Sequence, residues 1–144
     1  DLAIAFVILL AMMAFYGMVP SAWSLVVLPL AVLSMVMTVG GVGAWLTTLN
    51  IQYRDVQHLI PFAVQVWMYA SPIVYPLSLV PEAYRPFYVL NPMVGVIEGF
   101  RSVLLGTTEV PWGALAASLL VSALILLTGV FYFRRMERIF ADVA

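Results

Sequence analysis

Asn91-Pro92-Met93-Val94-Gly95-Val96-Ile97-Glu98-Gly99-Phe100-Arg101-Ser102-Val103-Leu104-Leu105 is the stretch that decides how this chain folds. Asn91 offers a side-chain acceptor for the first free amides of a helix, and Pro92 suits the first turn, where an amide has no partner to lose. The pattern predicts a helix that stops at Gly106. It is somewhat short for a bilayer crossing, which takes about 20 apolar residues. It also carries Glu98 and Arg101, three apart and therefore on one helical face. If the segment crossed, two charges would lie near mid-bilayer and the arginine-bearing ends of the chain would fall on opposite sides. If it dips in and returns, Arg54 shares a side with Arg134, Arg135 and Arg138, and Arg85 and Arg101 lie on the other. The retention of arginine on the cytoplasmic side favours the second arrangement.

The composition around this segment is that of an integral membrane protein. Of 144 residues, 65% are hydrophobic and 9% charged, and the mean hydropathy is +1.09. In lipid, backbone groups must be satisfied within the protein, which leaves helices or a closed barrel. The apolar runs are continuous rather than alternating, and that excludes a barrel. There is no cysteine, hence no disulfide framework and no thiolate metal site. A net charge of −1 gives no electrostatic case for a nucleic acid partner. Hydrophobic sequence follows Asp1 at once, with no basic leader or cleavage pattern, so Leu2–Val19 does not read as a signal peptide. The expectation is a piece of a longer protein, beginning just before a span.

Working outward, spans are expected at 2–19, 23–49, 59–80 and 112–133, with a re-entrant or interfacial helical hairpin over 82–106 on the outer side. The expected fold is thus all-α and integral to the membrane: four transmembrane helices plus that hairpin. Gly40, Gly41, Gly43 and Ala44 form a small-residue patch suited to close helix contact. Pro72 lies inside the third run, where it removes a hydrogen bond and must bend or end the helix. Pro81 to Tyr88 mixes aromatic and charged residues, as at a membrane interface.

Little in the chain suggests catalysis. His58 is the only histidine and has no carboxylate cluster beside it to build a metal site. No Gly-x-x-x-x-Gly-Lys loop is present, so ATP is not bound here by that route. The expectation is a non-enzymatic chain without a cofactor of its own. Isolated Ser and Thr residues read as bonding back to their own helices. Asn50-Ile51-Gln52-Tyr53-Arg54-Asp55-Val56-Gln57-His58, between two long apolar runs, must sit where water or a partner solvates it. It reads as a docking loop, with Tyr53, Arg54, Asp55 and His58 as its contact candidates. Glu98 and Arg101 read either as a pair that neutralises itself and caps the buried hairpin, or as a gate or an anion contact. Trp67, Tyr69 and Tyr75 are candidate flat faces for sugar rings along a translocation path.

Three ordered segments carry a resemblance: Asn50 to His58, Trp67-Met-Tyr-Ala-Ser-Pro-Ile-Val-Tyr-Pro76, and Leu90-Asn-Pro-Met-Val-Gly-Val-Ile-Glu-Gly-Phe-Arg101. In this order the chain resembles the ABC-2 type permeases, among them the exporters of O-antigen, capsular or teichoic acid chains. The resemblance implies that residues 1–144 are the C-terminal part of one transmembrane domain, supplying its third to sixth spans. It implies a multi-pass protein of the cytoplasmic membrane, a second permease copy, two ATPase subunits that bind ATP and Mg, and a lipid-linked polysaccharide substrate moving among membrane lipids. Tyr53, Arg54, Asp55 and His58 would then face the ATPase, and Asn91, Pro92, Glu98 and Arg101 would belong to the outer hairpin that closes the exit. Two alternatives stand beside it: an ABC-2 exporter of drugs or small lipids, and a non-transporting polytopic scaffold.

Overall fold

The computed structural model describes residues 2–106 and 109–141. Among them there are helices and turns but no strands: α1 Leu2–Phe15, α2 Ser24–Gln52, α3 Val56–Tyr69, a 3-10 turn at Leu77–Leu79, α4 Arg85–Val89, α5 Pro92–Leu105 and α6 Trp112–Ala141. Two helices are long and apolar enough to cross a bilayer, α2 and the Trp112–Arg138 part of α6. α1 stops at Phe15, four residues before the expected end, where Gly17 takes a positive φ of 69°. The third expected span is broken. Its helix ends at Tyr69, before Pro72, and at 14 residues is only ~21 Å long.

α2 and α6 form the frame, and they run parallel. Trp23 meets Trp112 edge to face near their starts, with ring centroids 5.6 Å apart. Trp45 stacks on Tyr132 at 4.5 Å further along. The Tyr132 hydroxyl then donates to Gln52 Oε1 at 3.1 Å near the ends. Backbones meet at Gly41 and Gly129. A Cβ on Gly41 would lie 2.6 Å from the backbone of Ile125 and Leu126, and a Cβ on Gly129 would press on the Gly41 carbonyl. Of the small-residue patch, Gly41 therefore makes the close contact, whereas Gly43 has nothing within 4 Å of its Cβ position.

Above that crossing lies a buried hydroxyl seam. Ser34 Oγ is 2.7 Å from Ser122 Oγ, and Thr38 Oγ1 is 2.9 Å from the same atom. Ser122 donates onward to the Ser118 carbonyl at 2.6 Å, and Thr38 to that of Ser34 at 2.8 Å. The hydroxyls do bond back to their helices, and they also join one helix to the other. Interhelical bonds of this kind contribute about 0.6 kcal/mol each, up to ~2.

α5 packs into the groove between α2 and α6, antiparallel to both. Gly95 sits against Ala114 and Ser118, and Gly99 against Leu115 and Val27. Ser21 N donates to the Val103 carbonyl at 2.9 Å, closing the far end. There Met13, Val27, Val103, Leu104 and Leu115 make the apolar cluster. α1 joins it lightly, through Met13 and the edge of Phe6 on Phe100.

The glycine crossing is testable. Gly41→Val is expected to lose roughly 3 kcal/mol, the upper end for overpacking, read as a lowered Tm in detergent. Gly113→Ala, whose added Cβ meets nothing within 4 Å, should be neutral or gain up to ~1 kcal/mol from helix propensity.

Candidate functional site

Polar chemistry gathers in two places, at opposite ends of α3. The first is the Asn50–His58 block. α2 ends at Gln52, Tyr53 is extended (φ −132°, ψ 101°), and α3 starts at Val56. Tyr53, Arg54, Asp55 and His58 are all exposed. Asp55 stands at the N-cap position of α3, but its side chain makes no capping bond. The His58 ring lies 3.4 Å from the Gln57 amide. No side-chain bond joins the four candidates to one another among the described residues. What they share is position: because α2 and α6 are parallel, the block lies at the same end as the exposed Arg134, Arg135 and Arg138.

The second place surrounds the break after α3. A helix that starts inside protein leaves its first amides without partners, and α5 accounts for each of them. Pro92 has no amide. Met93 N donates to Asn91 Oδ1 at 3.0 Å, Val94 N to the Asn91 carbonyl at 3.0 Å, and Gly95 N to Ser118 Oγ at 2.9 Å. Asn91 was expected as an N-cap, and it is one. It also ties α5 to α3. Oδ1 accepts from Trp67 Nε1 at 3.0 Å, while Nδ2 donates to Ser71 Oγ at 3.0 Å and to the Ala70 carbonyl at 3.3 Å. Two acceptor and two donor sites are thus filled, the full capacity of a carboxamide.

Two turns along α5, Glu98 and Arg101 perform the same service for the broken backbone. They form an ion pair of 2.5 Å, with side chains 16% and 23% exposed. Arg101 also donates to the carbonyl of Pro72 at 2.9 Å and, more weakly, to that of Ile73 at 3.4 Å. Glu98 accepts from Leu77 N at 3.2 Å. The pair therefore satisfies itself and three backbone groups that the proline-rich segment leaves open. Asn91 is level with Trp67–Ser71, and Glu98 and Arg101 are level with Pro72–Leu77. The chain passes this level once from 67 to 77 and again from 91 to 101, both times in the same sense, so residues 78–90 return between.

The three aromatic candidates do not share one surface. Trp67 is half-buried, with its ring N–H held by Asn91, and lines an apolar groove bounded by α1, α2, α3 and α5. Tyr69 is exposed. Tyr75 donates to the Tyr69 carbonyl at 3.2 Å and meets the Tyr88 hydroxyl at 2.7 Å. Its ring lines a separate cleft of about 510 Å³ with Tyr84, Phe87 and Tyr88. Outside the hub, Glu82 and Arg85 make an exposed pair at 3.6 Å, a contact that contributes little. Ser71 and Ser118, which complete the hub, were passed over in the sequence. The available signal was Ser118 and Ser122 at i,i+4 on α6, facing Ser34 and Thr38 at the same spacing on α2.

Two long apolar helices bound to a broken, polar-stapled segment define a helical membrane protein. The chain belongs to the ABC-2 type transporter family, which it matches over residues 2–105; members of this family are transport subunits. It is similar to the O-antigen export system permease protein RfbA of Myxococcus xanthus, 30% identical over 90 residues, covering 61% of this chain and 34% of that one. Two proteins of the same name from Klebsiella pneumoniae are 23% and 21% identical over 128 and 136 residues. These alignments cover 89% and 94% of this chain and 49% and 52% of the relatives. The chain thus spans about half the length, or less, of the curated relatives it matches.

The hub gives a double-mutant test. Arg101→Ala strands the Glu98 carboxylate and two carbonyls and should destabilise the protein by roughly 3 kcal/mol, the low end for breaking a buried pair. Glu98→Gln with Arg101→Ala should cost less than Arg101→Ala alone, since no unpaired charge remains. Thermal unfolding in detergent reads both.

Proposed function

We propose that residues 1–144 are the C-terminal portion of the membrane domain of an ATP-driven exporter permease, one that carries lipid-linked polysaccharide across the cytoplasmic membrane. One observation carries it: the parallel α2–α6 pair sets the exposed Tyr53–His58 block at the arginine-rich end, while the Asn91–Glu98–Arg101 hub lies towards the other. The family supplies the transport class, and the relatives' printed name, O-antigen export, supplies the substrate class.

In this reading α1, α2, α3 with its continuation to residue 80, and α6 are four crossings. α4 and α5 form an outer hairpin that enters and returns. Its polar backbone is tolerated at depth because Asn91, Ser118, Glu98 and Arg101 satisfy it from within the protein. Two permease copies work with two ATPase subunits, and ATP and Mg are held by those subunits. Tyr53, Arg54, Asp55 and His58 meet the ATPase, and closure of the ATPase pair moves this block. Asn91, Pro92, Glu98 and Arg101 hold the outer closure in place. The aromatic rings of Tyr75, Tyr84, Phe87 and Tyr88 offer sugar-stacking faces beside it. An ABC-2 exporter of drugs or small lipids is favoured by one feature, the wide apolar groove bounded by α1, α2, α3 and α5, which has few polar groups to hold a sugar.

Arg54→Ala combined with Asp55→Ala in the full-length protein is expected to lower transport-coupled ATP hydrolysis severalfold while membrane insertion is unchanged. Full coupling in that variant would remove the docking role, and failure to co-purify with any nucleotide-binding subunit would leave the scaffold reading. Independently, a cysteine at Glu82 or Arg85 should react with an impermeant thiol reagent from outside the cell. Reaction only from the cytoplasmic side would invert the topology.

A further inference from the structure

α2 hands the chain to the Tyr53–His58 block without a backbone cap. Tyr53 is extended, so the left-handed residue that closes α5 at Gly106 has no counterpart at this helix end. Of the last four carbonyls of α2, that of Leu49 receives the Tyr53 amide at 2.8 Å. Those of Asn50, Ile51 and Gln52 receive no hydrogen bond among the described residues. Helix ends of this kind fray, and the direction in which the chain leaves is then loosely set by the backbone.

Side chains set it instead. Trp45 and Gln52, seven apart, lie on one face of α2 and meet Thr128, Tyr132 and Met136, four apart along α6. The Trp45 indole N–H donates to Thr128 Oγ1 at 3.3 Å, and its ring carries the stacked ring of Tyr132. Held there, Tyr132 presents its hydroxyl to Gln52 Oε1 at 3.1 Å. The other side of the carboxamide, Nε2, reaches the weak acceptor Met136 Sδ at 3.7 Å. α6 runs unbroken through this level to Ala141, so the last residue of α2 is fastened to a continuous helix. Beyond it, Tyr53, Arg54, Asp55 and His58 make no side-chain bond to α2 or α6 among the described residues; the ring of His58 reaches only Gln57.

We infer that Gln52 is a positioning residue: through the Tyr132 hydroxyl it fixes the start of the Tyr53–His58 block to α6, so that a displacement of the block carries α6 with it. The role in coupling rests on the reading of that block as the ATPase-facing element. Gln52 acts through Tyr132 and not by touching the ATPase. Without the bond, the uncapped last turn of α2 gives way locally and the displacement is absorbed there, since a helix end with open carbonyls is among the least costly parts of a fold to open.

Spin labels on cysteines at Gln57 and Arg135, both exposed, are expected to give one narrow distance in full-length permease in nanodiscs, with labelled copies diluted into unlabelled ones. Tyr132→Phe keeps the ring on Trp45 and removes only the donor; Gln52→Leu removes the acceptor. Each should raise the share of other distances roughly twofold to tenfold, the shift that one hydrogen bond sustains. Gln52→Glu, which keeps an acceptor for the hydroxyl, should leave the distance narrow. With the ATPase bound, Tyr132→Phe and Gln52→Leu should each lower transport per ATP hydrolysed at least about twofold, with co-purification of the ATPase unchanged. The double variant should be no worse than the poorer single one, and Gln52→Glu should retain the ratio. A merely structural bond would lower Tm without moving that ratio. An unaltered distance in Tyr132→Phe would overturn the tie, and a broadened distance with an unaltered ratio would overturn its role in coupling. A ratio that falls in Gln52→Leu but not in Tyr132→Phe would place Gln52 on the ATPase itself and likewise overturn the inference. Failure of the docking reading shows elsewhere, as full coupling in the Arg54 and Asp55 variant, while the label distances still decide whether Gln52 fixes the block.

Discussion

The backbones of α2 and α6 touch at Gly41 and Gly129, and the rest of the structure hangs on that contact. With two side chains absent, the helices come close enough for Ser34, Thr38 and Ser122 to reach one another across the interface. In lipid there is no hydrophobic drive to bring apolar helices together, so close packing and such bonds have to do it. Because the pair is parallel, the chain must travel the full length of α2 again before α6 begins. α3 and α5, 14 residues each, share that return, and the interruption between them is where the polar residues collect.

Much of this was legible because lipid is an unforgiving solvent. Asn91-Pro92 announced a helix start, Gly106 its end at φ 61°, Pro72 a break, and Glu98 with Arg101 a pair on one face. In each case a single residue type has few physical uses. The parallel order of the frame was approached through the distribution of arginines, and Arg54 does lie at the same end as Arg134, Arg135 and Arg138.

What the sequence hid were relationships between distant segments. Gly40, Gly41 and Gly43 look alike as letters, yet one presses on α6 and another faces an open groove. Ser118 looks like any hydroxyl in an apolar helix; that it receives the Gly95 amide depends on where α5 lands. Trp67 and Tyr69 are two apart on α3 and so face different sides of it, and the break at Pro72 carries Tyr75 on to a separate cleft. Tyr53, Arg54, Asp55 and His58 form an exposed loop, and an exposed loop has no internal partner from which its use can be read.

The parallel frame has an electrical consequence. Each long helix gathers roughly half a negative charge at its C-terminus from aligned peptide dipoles. Antiparallel neighbours cancel such fields, whereas α2 and α6 add theirs at one end of the molecule, offset in part by the N-terminus of α3, which starts there. Arg54 follows the last residues of α2, and Arg138 lies in the last turn of α6. These cations are counter-charges for a paired macrodipole. The polar loop between them therefore sits in a field that the frame itself creates.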